Sequence, residues 1–297
     1  MAFDYDVRKI NDMILRYLPA RDGLQATVFN AMGDAVIAGG KRIRPILMYE
    51  TYKMFCKKNR KEIDDQAIAP FMAGMEIMHT ASLIHDDLPC MDNDRLRRGQ
   101  PTTWVVYGED MATLTGDAMM IETFSLMGEA AMRSSDKEAA VKALYTMAMK
   151  SGLYGMTGGQ VVDVENTGKP LDEEKLDFIY RLKTGALLEA SMMIGAILGG
   201  ADHEEIEKVE KIAADIGFAF QVRDDILDEI STDENLGKPI HSDAENNKTT
   251  YVTLFGIEKA DQEVRKRSME AEELLEALGG DTKVLKQIIS YLIDRDK

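Results

Sequence analysis

The chain has 297 residues, 45% of them hydrophobic, which is enough to bury a substantial core. Its 36 Lys and Arg stand against 52 Asp and Glu, and the net charge of −16 excludes a general binder of nucleic-acid backbone. Any anionic ligand must find a local basic or metal-bearing exception to an acidic surface. Cys56 and Cys90 are too few for a disulfide framework or a zinc site.

The opening residues, Met1 to Asp6, are acidic and lack the basic and then apolar regions of a secretory signal, so a cytoplasmic location is expected. A glycine pair, Gly39-Gly40, precedes the basic cluster Lys41-Arg42-Ile43-Arg44-Pro45. Apolar residues then recur at helical spacing: Ile43, Leu47, Tyr49 and Met54 in one segment, Met72, Met75, His79 and Leu83 in the next. The second helix runs into Asp86-Asp87-Leu88-Pro89-Cys90-Met91-Asp92. Pro89 disrupts regular helix geometry there, so Asp92 is expected to turn back toward Asp86. Arg95-Leu96-Arg97-Arg98-Gly99 follows as a second basic cluster.

Gly158-Gly159 predicts a break, Lys183-Thr184 precedes a helix carrying Leu187, Met192 and Ile197, and Gly199-Gly200 ends it. That apolar stretch, from Ala186 to Gly200, is interrupted by Glu189 and is shorter than the ~20 residues of a membrane span, so no stable membrane insertion is expected. The run Ile216 to Phe220 leads into Asp224-Asp225-Ile226-Leu227-Asp228. Asp224 and Asp228 lie four apart, within about 40° of each other on a helix. Two carboxylates so placed repel, and hard oxygen ligands suit Mg²⁺ or Ca²⁺. Alone, the pattern is more commonly a solvated helix face.

Residues 231 to 250 read as a loop able to close over a site, with Gly237-Lys238-Pro239 and Lys248 as further cations. Gly279-Gly280 marks the last break. Strand-like alternation is nearly absent and no linker or repeat divides the chain. The expected class is all-α, one helical domain over 1–297. No Gly-rich nucleotide loop is present. His79 with His85-Asp86 could suit a helical metal phosphohydrolase, but that leaves Asp92, the second Asp motif and the basic clusters unexplained.

Met75 to Pro89, Met91-Asp92-Asn93-Asp94, Arg97-Arg98-Gly99, Gly40 to Pro45, Lys183-Thr184-Gly185, Phe220 to Asp228 and Gly237-Lys238-Pro239, taken in order, closely resemble short-chain trans-prenyl diphosphate synthases of the farnesyl and geranylgeranyl type. The resemblance implies the isoprenoid synthase fold: a helical bundle around a deep apolar cavity, assembled as a homodimer. It implies head-to-tail condensation of isopentenyl diphosphate with an allylic diphosphate, with three Mg²⁺ per site held chiefly by Asp86, Asp92 and Asp224, and by Asp87, Asp225 and Asp228 directly or through water. It assigns Lys183, Thr184 and Gln221 to catalysis, with Thr184 and Gln221 facing an allylic cation. It places Lys41, Arg44, His79 and Arg98 on isopentenyl diphosphate, and Arg97, Lys183, Lys238 and Lys248 on the allylic diphosphate.

Many bacterial farnesyl synthases carry an aromatic floor five positions before the first aspartate. Here that position is Ala81, beside Ser82, with Met78 and Met75 expected beneath it as a soft floor. A C20 product, or a C15/C20 mixture, is therefore expected, and Ala81→Tyr is expected to shorten it. A terpene cyclase would need no isopentenyl diphosphate site, and a non-catalytic isoprenoid-binding subunit would tolerate loss of the carboxylates.

Overall fold

The computed structural model describes residues 5–230 and 249–293. The first four helices are α1 (Val7–Leu15), α2 (Ala26–Ile37), α3 (Ile43–Lys58) and α4 (Asp65–Asp86). Asp64 caps α4, its carboxylate accepting from the Gln66 and Ala67 backbone N–H groups. From Ile68 to Met78 every residue of α4 is buried, so this helix has no solvent face and must be surrounded. It is: α1, α2, α3 and α6 (Glu109–Arg133) all pack on it, as does α10 (Ala186–Gly199). The core is the methionine-rich space between them.

Between α4 and the short α5 (Thr103–Tyr107), the only strands among the described residues form a minimal hairpin, β1 (Leu96–Arg97) antiparallel to β2 (Gln100–Pro101). Its two turn residues, Arg98 (φ 54°) and Gly99 (φ 75°), are both left-handed, as the tightest hairpin turn demands.

Helices α7 (Lys137–Ser151) and α8 (Met156–Glu165) lead to α9 (Glu173–Ile179). Helix α9 passes without interruption through a π-helical segment, Tyr180–Gly185, into α10. The long α11 (His203–Ile230) packs on α10 and the π segment, and α12 (Tyr251–Phe255), α13 (Ile257–Leu278) and α14 (Lys283–Ile293) pack against α11. Helix α4 and the continuous helix Glu173–Gly199 are long and apolar enough to cross a membrane, but 78% and 72% of their most apolar stretches are buried in the bundle. They are core helices.

The all-α expectation thus holds. The glycine pairs at 39–40 and 279–280 fall between helices, and Gly199-Gly200 ends α10. Gly158-Gly159 does not: it lies inside α8. A Cβ on Gly159 would stand 2.3 Å from the Lys183 backbone nitrogen, so glycine here permits close helix contact and does not end the helix.

Candidate active site

A cavity of about 650 Å³ opens at the C-terminal end of α4, where His79, Ser82, Leu83 and Asp86 form one stripe of its wall. Lys183, Thr184 and Leu187 face it from the π segment and α10, Thr157 and Gln160 from α8, and Met120 from α6. Asp87, the residue after Asp86, is rotated by about 100° and points inward. It is only 4% exposed, and Arg97 grips its Oδ1 through Nε at 2.7 Å and Nη2 at 2.6 Å. Arg97 is therefore committed to a motif carboxylate, with Asp94 Oδ2 at 3.4 Å as a second partner.

Beyond Leu88 the chain coils back. Asn93 takes a left-handed conformation (φ 56°), and the Asp92 N–H donates to the Asp86 carbonyl at 2.9 Å. The predicted return of Asp92 toward Asp86 is present. Burial pushes the Asp86 carboxyl up to about 6; Lys183 opposes this and Asp92 adds to it. Gln160 Nε2 donates to Asp86 Oδ1 at 2.9 Å.

The π segment carries Lys183 and Thr184. Burial alone would lower the Lys183 ammonium, yet Asp163, with Asp86 and Asp92 behind it, holds it above its ordinary value. Lys183 Nζ lies 2.5 Å from Asp163 Oδ2. The Thr184 hydroxyl donates to Gln221 Oε1 at 3.0 Å, joining the π segment to α11. A π turn widens the helix locally and is a recurrent device at functional sites.

In the second motif, Asp224 and Asp228 are half-buried at the end of α11, whereas Asp225 is 5% exposed. Asp225 Oδ2 accepts from the Tyr180 hydroxyl at 2.5 Å and from the Tyr251 backbone N–H at 3.0 Å. Of the six carboxylates expected at the metals, Asp87 and Asp225 are the two most buried and are bonded to protein partners. No group of three metal-ligating side chains stands ready-made among the described residues.

At the opposite side of the α4 stripe lies a cationic group. Arg44 Nη1 is 3.3 Å from His79 Nε2. A guanidinium can only donate, so Nε2 accepts and the imidazole proton sits on Nδ1. Burial and then Arg44 hold His79 well below its usual range, and it is neutral. Burial, opposed by Glu76 and reinforced by Arg98, brings the Arg44 guanidinium to about 10, and its buried Nε has no partner among the described residues.

Beneath this group is an ion pair with both side chains almost wholly enclosed, Arg42 Nη1 to Glu76 Oε1 at 2.5 Å. Arg42 also donates to Asn11 Oδ1 at 2.9 Å and to the Val36 carbonyl at 2.6 Å. These bonds hold Arg42 in a left-handed conformation (φ 52°) as the cap of α3, two residues before Arg44. Gly40 lets the Arg98 guanidinium settle on the backbone: a Cβ there would lie 2.6 Å from Nη1. Lys41 stands apart, its ammonium 5.3 Å from the Tyr291 ring and outside the cavity wall.

Of the chain-length positions, Ser82 lines the cavity and its hydroxyl donates to the His79 carbonyl at 2.9 Å. Ala81, Met78 and Met75 are buried and do not line this cavity: Ala81 is rotated by about 100° from Ser82, whereas Met78 and Met75 lie one and two turns below Ser82 on the same side of α4. The apolar wall of this cavity comes from Leu83, Leu88, Met120, Met156, Val161 and Leu187. Lys238 and Lys248 lie outside the described residues.

Gln160, Asp163, Arg42 and Glu76 were not singled out from sequence. The spacing of Gln160 and Asp163, one turn apart on a helix, was a usable signal, as was the lone carboxylate Glu76 between Phe71 and Met78.

The polyprenyl synthetase family model matches residues 26–292. The chain belongs to the polyprenyl synthetase family. As such it is a prenyltransferase. It is 38% identical to a farnesyl diphosphate synthase of Geobacillus stearothermophilus over 97% of this chain and 94% of that one. It is 41% identical to a putative chloroplastic geranylgeranyl pyrophosphate synthase of Arabidopsis thaliana, over 99% of this chain and 82% of the relative. Among solved structures, an FPP/GFPP synthase from Zymomonas mobilis superposes with a TM-score of 0.84 at 32% identity, covering 97% of this chain and 95% of that one.

Proposed function

We propose that the protein joins isopentenyl diphosphate head-to-tail to an allylic diphosphate, with farnesyl or geranylgeranyl diphosphate as product. The observation that carries this reading is one cavity wall, built on the α4 stripe, with the Asp86 carboxylate at one end and, about two turns away, neutral His79 with the enclosed Arg44 guanidinium of α3 against it. Two diphosphates therefore have two chemically different seats beside a shared apolar space.

The donor chemistry fits Mg²⁺. Asp86 and Asp92 are joined by a backbone bond, and burial beside Asp92 raises the Asp86 carboxyl, a cost that a cation would remove. Mg²⁺ is commonly held by one or two carboxylates plus substrate phosphate oxygens. In this reading Asp86, Asp92, Asp224 and Asp228 would hold such ions, three being the expected number. When bound, Mg²⁺ supplies Lewis-acid charge to the departing diphosphate.

The chain's own groups account for the rest. Lys183, steered by Asp163, brings a cation toward the allylic diphosphate as its C–O bond breaks. The Thr184 hydroxyl donates its hydrogen bond to Gln221 Oε1, so what its oxygen offers elsewhere is lone-pair density, suited to an allylic cation. Arg44 and Arg98 suit the isopentenyl diphosphate. His79 cannot compete for charge there because it stays neutral. The isopentenyl double bond attacks the cation, and the proton lost afterwards passes to the released diphosphate.

An exposed apolar stripe on α6 and α7, with Leu114, Ile121, Met132, Val141 and Tyr145, supports a homodimer. A cyclase reading is disfavoured by the Arg42–Glu76 foundation under Arg44, which such an enzyme has no reason to keep. The test is incubation with isopentenyl diphosphate, Mg²⁺ and C5, C10 or C15 allylic diphosphates, followed by product chain-length analysis. C15 and C20 diphosphates are expected; cyclised hydrocarbon from an allylic diphosphate alone, or no turnover with any primer, overturns the reading.

A further inference from the structure

We infer that Asp225 is a positioning residue that sets the register between the π segment and α11, and so aligns Thr184 with Gln221, and that it is not a metal ligand. The inference rests on the reading of Thr184 and Gln221 given above.

The π segment is bonded to α11 at two levels, Tyr180 to Asp225 at 2.5 Å and Thr184 to Gln221 at 3.0 Å being hydrogen bonds between them. Tyr180 and Thr184 are four residues apart on one helix, and Gln221 and Asp225 four apart on the other. The pairs therefore run in opposite order and form two successive rungs between antiparallel helices, one turn apart. The outer rung fixes both the rotation and the axial position of the π segment relative to α11, which are the two variables that decide whether Thr184 Oγ1 and Gln221 Oε1 meet.

A π turn has no strong intrinsic preference for its own geometry, so something outside it must hold its shape. On the α8 side that support is the backbone contact at Gly159 and the Lys183–Asp163 pair. On the α11 side it is the two-rung ladder. The Asp225 rung is also tied to a third element. The same Oδ2 accepts from the Tyr251 N–H, which lies 3.2 Å from the Tyr180 hydroxyl as well. Thr250 caps α12 there through a reciprocal bond with Thr253.

Rings close over the junction: Phe218 lies 6.0 Å from Tyr180 and 5.7 Å from Tyr251, edge-on to the latter. Arg267 stacks 4.9 Å above Phe218 and is itself held by Asp215 at 2.8 Å. A carboxylate at 5% exposure, with one oxygen accepting from a phenol and an amide inside an aromatic cluster, is placed to hold protein together.

The test compares Tyr180→Phe, Asp225→Ala, Asp225→Asn and the Tyr180→Phe/Asp225→Ala double variant with Asp224→Asn. The readouts are kcat, KM for both substrates, the Mg²⁺ concentration for half-maximal rate, and thermal unfolding. Asparagine keeps an acceptor oxygen for Tyr180 and Tyr251, so Asp225→Asn is expected within about threefold of the unmodified enzyme in kcat and in Mg²⁺ requirement. Tyr180→Phe and Asp225→Ala are each expected to lower kcat about 10-fold to 100-fold, with KM and Mg²⁺ requirement changed less than about twofold.

The double variant is expected to be no slower than Asp225→Ala, because both remove one rung. Asp224→Asn is expected to raise the Mg²⁺ requirement. A comparable rise for Asp225→Asn, or an unchanged kcat in Tyr180→Phe, overturns the assignment. Additive melting-temperature losses in the double variant overturn it too, and that measurement does not depend on activity. An inactive unmodified enzyme that still shows non-additive melting would instead sink the functional reading and leave the ladder standing.

Discussion

The two aspartate motifs differ in spacing, setting and helix, yet both divide their adjacent aspartates in the same way. Successive residues on a helix are rotated by about 100°, so two neighbouring carboxylates cannot both face one ligand. Asp86 lines the cavity while Asp87 is 4% exposed; Asp224 is half-buried while Asp225 is 5% exposed. What differs is the partner. Asp87 receives the Arg97 guanidinium from the hairpin, and Asp225 receives a tyrosine hydroxyl and a backbone N–H. The first motif is thereby coupled to a basic loop and the second to the π segment. A run of aspartates in sequence does not show which of its carboxylates protein partners claim, nor the structure those carboxylates organise.

The largest expected effect comes from separating the two roles within the first motif. Asp86→Asn removes a cavity carboxylate, and kcat is expected to fall on the order of 10²–10³-fold with a raised Mg²⁺ requirement. Asp87→Asn leaves Arg97 without its charge partner, and a smaller loss of about 10-fold to 100-fold is expected, chiefly in KM for the allylic diphosphate. Steady-state kinetics with Mg²⁺ titration decides it. Equal losses and equal shifts in Mg²⁺ requirement would mean that both carboxylates act alike and the division is wrong.

A middle-sized effect is expected from pH. Burial raises Asp86 from 3.8 to about 6, so on falling below that value a proton competes with the metal. The Mg²⁺ concentration for half-maximal rate is expected to be flat above about pH 7 and to rise roughly tenfold per unit below 6. The sign for stability is opposite. In the metal-free protein a raised carboxyl contributes stability that is fully present below 3.8 and lost as pH rises through about 6, so metal binding and folding pull this proton in different directions. Mg²⁺ titrations and melting curves at pH 5, 6, 7 and 8 read both slopes. A pH-independent Mg²⁺ requirement between 5 and 7 would remove Asp86 from the metal site.

The helices were legible because their apolar residues recur at helical spacing, and the order of the basic and acidic clusters was legible because it resembles a known family. Chemistry that depends on distant partners was not. The hairpin at Leu96–Pro101 has strands of two residues, too short for any alternation to register. Gly158-Gly159 carries the local signature of a break, but the contact that requires Gly159 is with Lys183, far along the chain. Rotation by 100° was enough to warn that Asp87 and Asp225 turn inward. It could not supply Tyr180 and Tyr251 as partners, since nothing local in sequence marks a tyrosine as the owner of a carboxylate. The Arg42–Glu76 pair was hidden for the same reason, inside segments whose periodicity reads as plain core.

The smallest expected effect applies the same rotation to the neighbouring pair Ala81 and Ser82. Ser82 is part of the cavity wall, whereas Ala81 is wholly enclosed on another face of α4. Ser82→Phe therefore adds bulk where a growing prenyl chain must pass, and the product ratio is expected to move from C20 toward C15 with little change in total turnover. Ala81→Tyr adds bulk to packed core, and is expected to cost about 1–3 kcal/mol of stability while reshaping the cavity only indirectly. Product analysis beside thermal unfolding separates the two. If Ala81→Tyr shortens the product as strongly as Ser82→Phe while melting like the unmodified protein, the side chain at 81 reaches the cavity after all. The inward and outward assignment along the last turns of α4 would then have to be redrawn, beginning with Asp86 and Asp87.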